Sequence, residues 1–97
     1  MEKVITVTLQ VEREDDQYVS LCPELDIASY GDTVEEALAH LDNAVSLYLT
    51  TIEEDGERER IFRERGIEIE DRLETDYKVS VHPGLVATVG RFPVGTA

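Results

Sequence analysis

Along residues 4–12 apolar and polar positions alternate, with Ile5, Val7, Leu9 and Val11 on one side and Thr6, Thr8, Gln10 and Glu12 on the other. This predicts a half-buried β-strand. Glu14, Asp15, Asp16 and Gln17 then form a polar break before a second strand-like run from Tyr18 to Cys22, so the two runs predict an antiparallel hairpin with a loop of four residues or more. Pro23 cannot donate to a ladder and marks an end or an edge. A short third strand is expected over residues 26–30. It leads into Gly31-Asp32-Thr33-Val34-Glu35-Glu36, where Thr33 and Glu36 have the spacing of a capping box and the acids suit the positive end of a helix dipole. Behind that cap Val34, Ala37, Leu38, Leu41, Val45, Tyr48 and Ile52 recur every three or four residues. They predict a helix of about five turns lying on a sheet. Glu53, Glu54 and Asp55 are unfavourable at the negative end of a helix, so it is expected to stop or fray near Thr51, before Gly56.

Gly56 and Gly66 bracket a segment of mixed charge in which Arg60 precedes Glu64 by four residues, a spacing that supports a short exposed helix docked by Ile61 and Phe62. Ile67 and Ile69 alternate with Glu68 and Glu70 and suggest an edge strand. Tyr77, Val79 and Val81 alternate with Lys78 and Ser80; a turn at His82-Pro83-Gly84 and a strand-like run over residues 85–89 complete a second hairpin. Residues 92–97, with Pro93 and Gly95, read as a loose tail. The expected fold is therefore α+β: an antiparallel sheet, one long helix on a face, a short second helix and a C-terminal β-hairpin. Residues 1–66 form its core, and residues 67–97 extend the same domain or reach a neighbouring chain.

Composition narrows the functional classes. Among 97 residues there are 22 Asp plus Glu against nine Lys plus Arg, a formal charge of −13. Proteins that grip a phosphate backbone do so with clustered basic residues, so direct binding to nucleic acid is not expected. Apolar residues make up 41% of the chain, enough for one modest core, so the acidity does not imply disorder. Lys occurs only at Lys3 and Lys78, and a Lys-poor acidic surface is also what a salt-adapted host would produce. The single Cys22 cannot form an internal disulfide, no apolar run approaches the length of a membrane span, and the first residues lack a signal-type block. A cytoplasmic location is the expectation.

Catalytic constellations are missing from the sequence. His40, His82 and Cys22 lie far apart, with none of the short spacings of a zinc site and no phosphate-binding glycine loop or nucleophile elbow nearby. His40 and His82 read as surface residues and Cys22 as a small buried hydrophobe. Two-metal hydrolysis needs several acids converging from different strands, whereas the acids here gather in loops and on the helix surface. No enzyme, no metal and no cofactor is expected. One helix position differs from its surroundings: Leu47 projects nearly opposite the apolar stripe, with the small residues Ala44 and Thr51 beside it. These three are a candidate helix–helix contact in a homo-oligomer, a dimer or tetramer.

The strand Tyr18-Val19-Ser20-Leu21 running into Cys22-Pro23-Glu24-Leu25, then Gly31-Asp32-Thr33 followed by Glu35-Glu36-Ala37-Leu38, resembles in order and spacing the HicB family of antitoxins. The likeness covers residues 4–52. It implies a β-β-β-α-β core, the partial ribonuclease-H-like fold, and a role in a toxin–antitoxin system without catalysis: such proteins bind a small basic HicA-type mRNA ribonuclease and mask its active surface. Opposite potentials would speed that encounter and enforce partner choice. Charge and order in the chain, rather than any family motif, then nominate Asp15, Asp16, Tyr18, Glu24, Asp32, Glu35 and Glu36 to face the toxin. The C-terminal third departs from relatives that continue into a DNA-binding domain, since residues 67–97 carry three basic residues against five acidic ones and show no recognition helix. Two alternatives remain: a free-standing oligomeric scaffold or regulator without a toxin, and a carboxylate metal-dependent nuclease.

Overall fold

The computed structural model describes residues 2–71, 80–82 and 85–94. Alternation in the first segment produces the long strand β1 (Lys3–Glu14), which turns into β2 (Gln17–Cys22) and then β3 (Ile27–Gly31). The helices α1 (Val34–Glu54) and α2 (Arg58–Arg65) follow, and after them β4 (Glu70–Asp71), β5 (Ser80–His82) and β6 (Leu85–Pro93). All pairings are antiparallel, in the order β3-β2-β1-β6-β5, with β4 joined to β1. The fold is thus the expected α+β arrangement. Ile5, Val7 and Leu9 of β1 point into the core against Leu41, Val45, Leu49 and Ile52 of α1. Ile61 and Phe62 of α2 close that core and dock the short helix as expected.

At the helix start the structure shows the threonine half of the expected capping box. Thr33 is extended (φ −134°), and its hydroxyl accepts from the Glu36 amide at 3.0 Å. Gly31 precedes the cap for a steric reason: a Cβ there would lie 2.6 Å from the Ala37 nitrogen. Only glycine lets the last residue of β3 come this close to the first turn of α1.

Four expectations are corrected. The β1–β2 connection is a two-residue turn, Asp15-Asp16, with Glu14 paired to Gln17. Asp15 takes the left-handed conformation (φ 55°) that Asp tolerates better than most residues, so the flanking polar residues stay in the ladder. Helix α1 passes Thr51 and ends at Glu54, because burial of Ile52 outweighs the dipole penalty of its acids. Its stop is a Schellman motif: the Glu57 amide bonds the Ile52 carbonyl at 2.9 Å, the Gly56 amide bonds Glu53, and Gly56 is left-handed (φ 71°). The edge strand near Ile67 shrinks to Glu70–Asp71, with Ile67 packed on the core instead and Ile69 exposed. Residues 92–94 are no tail, since β6 runs through Pro93, Phe92 and Val94 are buried, and the Val94 amide bonds the Lys3 carbonyl at 2.9 Å. The expected strand at Tyr77 and Val79, the turn at Pro83 and Gly84, and residues 95–97 lie outside the described residues.

Ser20 is fully buried between β1 and β3, and among the described residues its hydroxyl has no hydrogen-bond partner. A buried hydroxyl without a partner costs about 1–3 kcal/mol of desolvation. Ser20→Ala is therefore expected to raise stability by about 1 kcal/mol, read as a higher urea midpoint with an unchanged slope. A lowered midpoint would show that the hydroxyl contributes a bond.

Candidate functional site

Register divides the sheet into two faces. Tyr18 lies opposite Gly31 and Val19 opposite Tyr30, so side chains alternate between the α1 side, which takes Tyr18, Ser20 and Cys22, and the open side, which takes Val19, Leu21, Ala28 and Tyr30. At the β1–β2 turn the open side forms a groove of about 700 Å³, lined by Glu14, Asp15, Asp16, Val19, Ala28 and Tyr30 among others. Tyr30 is 62% exposed there. A shallow apolar floor with an aromatic ring and three carboxylates on its rim suits a partner that brings a basic side chain with an aliphatic stem.

The nominated residues separate by position. Asp15 and Asp16 are exposed on the groove rim, and Asp32, Glu35 and Glu36 are exposed at the α1 N-terminus. Because Gly31 pairs with Tyr18, next to Gln17, these five acids occupy the same end of the sheet. Tyr18 belongs to that end too, but half-buried on the opposite face from the groove. The basic side chain there is Arg13, whose Nε donates to the Asp15 carbonyl at 3.3 Å. Four of the chain's seven arginines instead sit on α2, where Arg60 pairs with Glu57 and Glu64. Arg65 reaches the Glu24 carbonyl at 3.5 Å, at the other end of β2.

Glu24 does not join the acidic end. Pro23 ends β2, and a tight turn follows with the Leu25 amide on the Cys22 carbonyl and Asp26 left-handed (φ 55°). The turn buries Leu25 and aims Glu24 back at β1, where its carboxylate accepts from the Thr8 amide at 2.9 and 3.0 Å and from the Thr8 hydroxyl at 2.8 Å. Register explains the need. Strand β2 pairs with β1 only from Gln10 onward, so the Thr8 amide has no strand beside it on that edge and the carboxylate takes the vacant place. The Cys22 thiol, fully buried, also donates toward Glu24 over 4.0 Å, and burial pushes its pKa up. It is an inert core group.

His40 is exposed on α1, and its Nδ1 lies 2.7 Å from the Tyr30 carbonyl. A carbonyl only accepts, so Nδ1 carries the proton and the imidazole closes a free acceptor on the edge strand β3. The side chain of His82 lies outside the described residues. On the outer face of α1 Leu47 is 69% exposed, with Ala44 half-buried and Thr51 exposed beside it. The Thr51 hydroxyl is turned back onto the Leu47 carbonyl at 2.9 Å.

Val19, Ala28 and Tyr30 are absent from the residues nominated by charge. The signal that marks them is the alternation of Ala28 and Tyr30 against Ile27 and Ser29, which places an aromatic ring on the side of a strand that faces away from the core. Among the described residues no three His, Cys, Asp or Glu side chains converge on a point where they would hold a metal, and no helix is long and apolar enough to cross a membrane. Comparison with family models, with curated proteins and with solved structures finds no match for this chain.

Proposed function

We propose that this chain is a non-catalytic, HicB-like antitoxin whose acidic end covers a small basic ribonuclease of the HicA type. One observation carries the reading: Asp15, Asp16, Asp32, Glu35 and Glu36 share one end of the sheet, beside an open groove floored by Val19, Ala28 and Tyr30. Carboxylates around an apolar floor would steer a basic protein and then give it an apolar contact, the combination that makes an encounter both fast and specific. The words that carry the HicB resemblance act in this fold as structural devices. Cys22-Pro23-Glu24-Leu25 repairs the β1 edge, and Gly31-Asp32-Thr33 starts α1, so the resemblance supports the scaffold and the charge pattern supports the partner.

The test is co-expression with a short basic open reading frame neighbouring the gene. The complex is expected to co-purify and to lack the RNase activity of the free toxin. Association should slow by about tenfold to a hundredfold between low and molar salt, as for electrostatically steered pairs. An association rate indifferent to salt would remove the acidic end from the mechanism. A second reading, a free-standing oligomeric protein without a toxin, draws on Leu47, 69% exposed on the outer face of α1.

A further inference from the structure

We propose that the basic partner is held by strand addition: an extended, basic segment of it pairs with the outer edge of β3, beside the groove at Tyr30. For the partner's identity this rests on the acidic end being the surface that meets a basic protein. Register supplies the first ground. Glu14 and Gln17 close the two-residue turn as a hydrogen-bonded pair, so Gln17, Val19 and Leu21 turn their backbone groups toward β1, and Tyr18, Ser20 and Cys22 turn theirs toward β3. On β3 the inward set is then Ile27, Ser29 and Gly31, and the N–H and C=O groups of Ala28 and Tyr30 point out of the sheet. The His40 contact with the Tyr30 carbonyl has that direction. Strand β3 ends the sheet on its side; β4 and β5, which flank residues 72–79 in the chain, join at the Lys3 end of β1 and beyond β6.

The make-up of the strand is the second ground. Edge strands are usually guarded by charge, proline or a bulge. Residues 27–31, Ile-Ala-Ser-Tyr-Gly, carry no charge and no proline in a chain of which 32% is charged, and their register with β2 is continuous. On this edge His40 caps one carbonyl through one side-chain bond, a cover that an incoming N–H can displace. Ala28 and Tyr30 are exposed and line the groove with their side chains. A strand laid along them would gain main-chain hydrogen bonds and set alternate side chains over the Tyr30 ring, the division of labour of strand addition. Charge decides the occupant. Asp15, Asp16, Asp32, Glu35 and Glu36 at this end favour a Lys- or Arg-bearing segment and set a second copy of the same edge against like charge.

Calorimetric titration of the whole chain, at one low salt concentration, with a short synthetic peptide of alternating lysine and valine tests it. The peptide is expected to bind, and the same sequence with its central amides N-methylated, which keeps the charge and removes the edge donors, to bind at least about tenfold more weakly. Ala28→Pro removes an outward N–H without touching the ladder, and is expected to weaken binding by about tenfold. His40→Ala frees the Tyr30 carbonyl and is expected to tighten binding about twofold to tenfold, the effect of one competing hydrogen bond. Circular dichroism confirms that each variant folds, and His40→Ala decides the matter if Ala28→Pro does not. A peptide that does not bind, equal binding of the methylated peptide, or wild-type affinity in the folded variants overturns the proposal. So does a dimer of the free chain that Ala28→Pro dissociates, since that gives the edge to a second copy. No toxin takes part in the titration: a missing toxin defeats the antitoxin reading alone, and a captured toxin beside an indifferent peptide defeats the strand pairing alone.

Discussion

Phe92→Ala is expected to lower stability by about 3–5 kcal/mol, the usual range for removing a buried aromatic ring. Phe92 is 4% exposed, lies opposite Ile5 and belongs to the central apolar cluster. Its place is prepared by Gly90: a Cβ there would come within 2.8 Å of the ring and 2.9 Å of a Leu9 methyl. The site has little freedom to collapse after truncation, because strand pairing fixes β1 on one side and α1 stands on the other. Small domains hold only about 5–15 kcal/mol in total, so a loss of this size removes much of the margin, and each kcal/mol lowers the midpoint by about 4–8 °C. Thermal and urea unfolding measure it. A loss under about 1 kcal/mol, within the range of ordinary surface substitutions, would put the ring outside the core.

Glu24→Ala is expected to cost about 2–4 kcal/mol, although its target is an edge of the sheet and not the core. Hydrogen bonds to a charged acceptor contribute about 1.5–3 kcal/mol, and a donor left unsatisfied adds its own desolvation cost. Here the Thr8 amide and hydroxyl both lose their acceptor at the point where no strand flanks the β2-side edge of β1. Glu24→Gln keeps one acceptor oxygen and is expected to lose about half as much. The same variants separate two roles for this residue. Acting as a clamp on β1, Glu24 should affect melting and leave the folded protein's affinity for the proposed toxin unchanged. Unchanged melting with weakened binding would instead place its carboxylate at the interface.

The contrast between these two residues shows which parts of the structure were legible in the sequence. Alternation in β1 and the Thr33 cap are local signals, written within a few residues, and the structure matches them. Phe92 carries no such signal. Its burial depends on Ile5, nearly the whole length of the chain away, and next to Pro93 and Gly95 the local pattern reads as a tail. The end of α1 departs from its local pattern because the dipole penalty at Glu53 and Glu54 is visible locally, whereas the burial of Ile52 that outweighs it is a tertiary effect. The site divides the same way. Acids were found by charge, but charge alone could not separate Glu24, held by Thr8, from Asp15 and Asp16 on the groove rim, because that depends on where β2 leaves β1. Tyr30 needed the register of β3 before its exposure had a meaning.

The pairing of β1 with β6 also has a consequence in time. Strand β1 holds the centre of the sheet, and its neighbour β6 lies far along the chain and is made after it, with Val4 set opposite Pro93. Until that partner arrives β1 presents an unpaired edge with apolar side chains beside it. A sheet closed by so distant a contact forms slowly compared with one built from adjacent hairpins, because loop entropy must be overcome before the pairing offers any return. The β1–β2–β3 hairpins and α1 can therefore assemble early, but the central strand is secured only when β6 is complete.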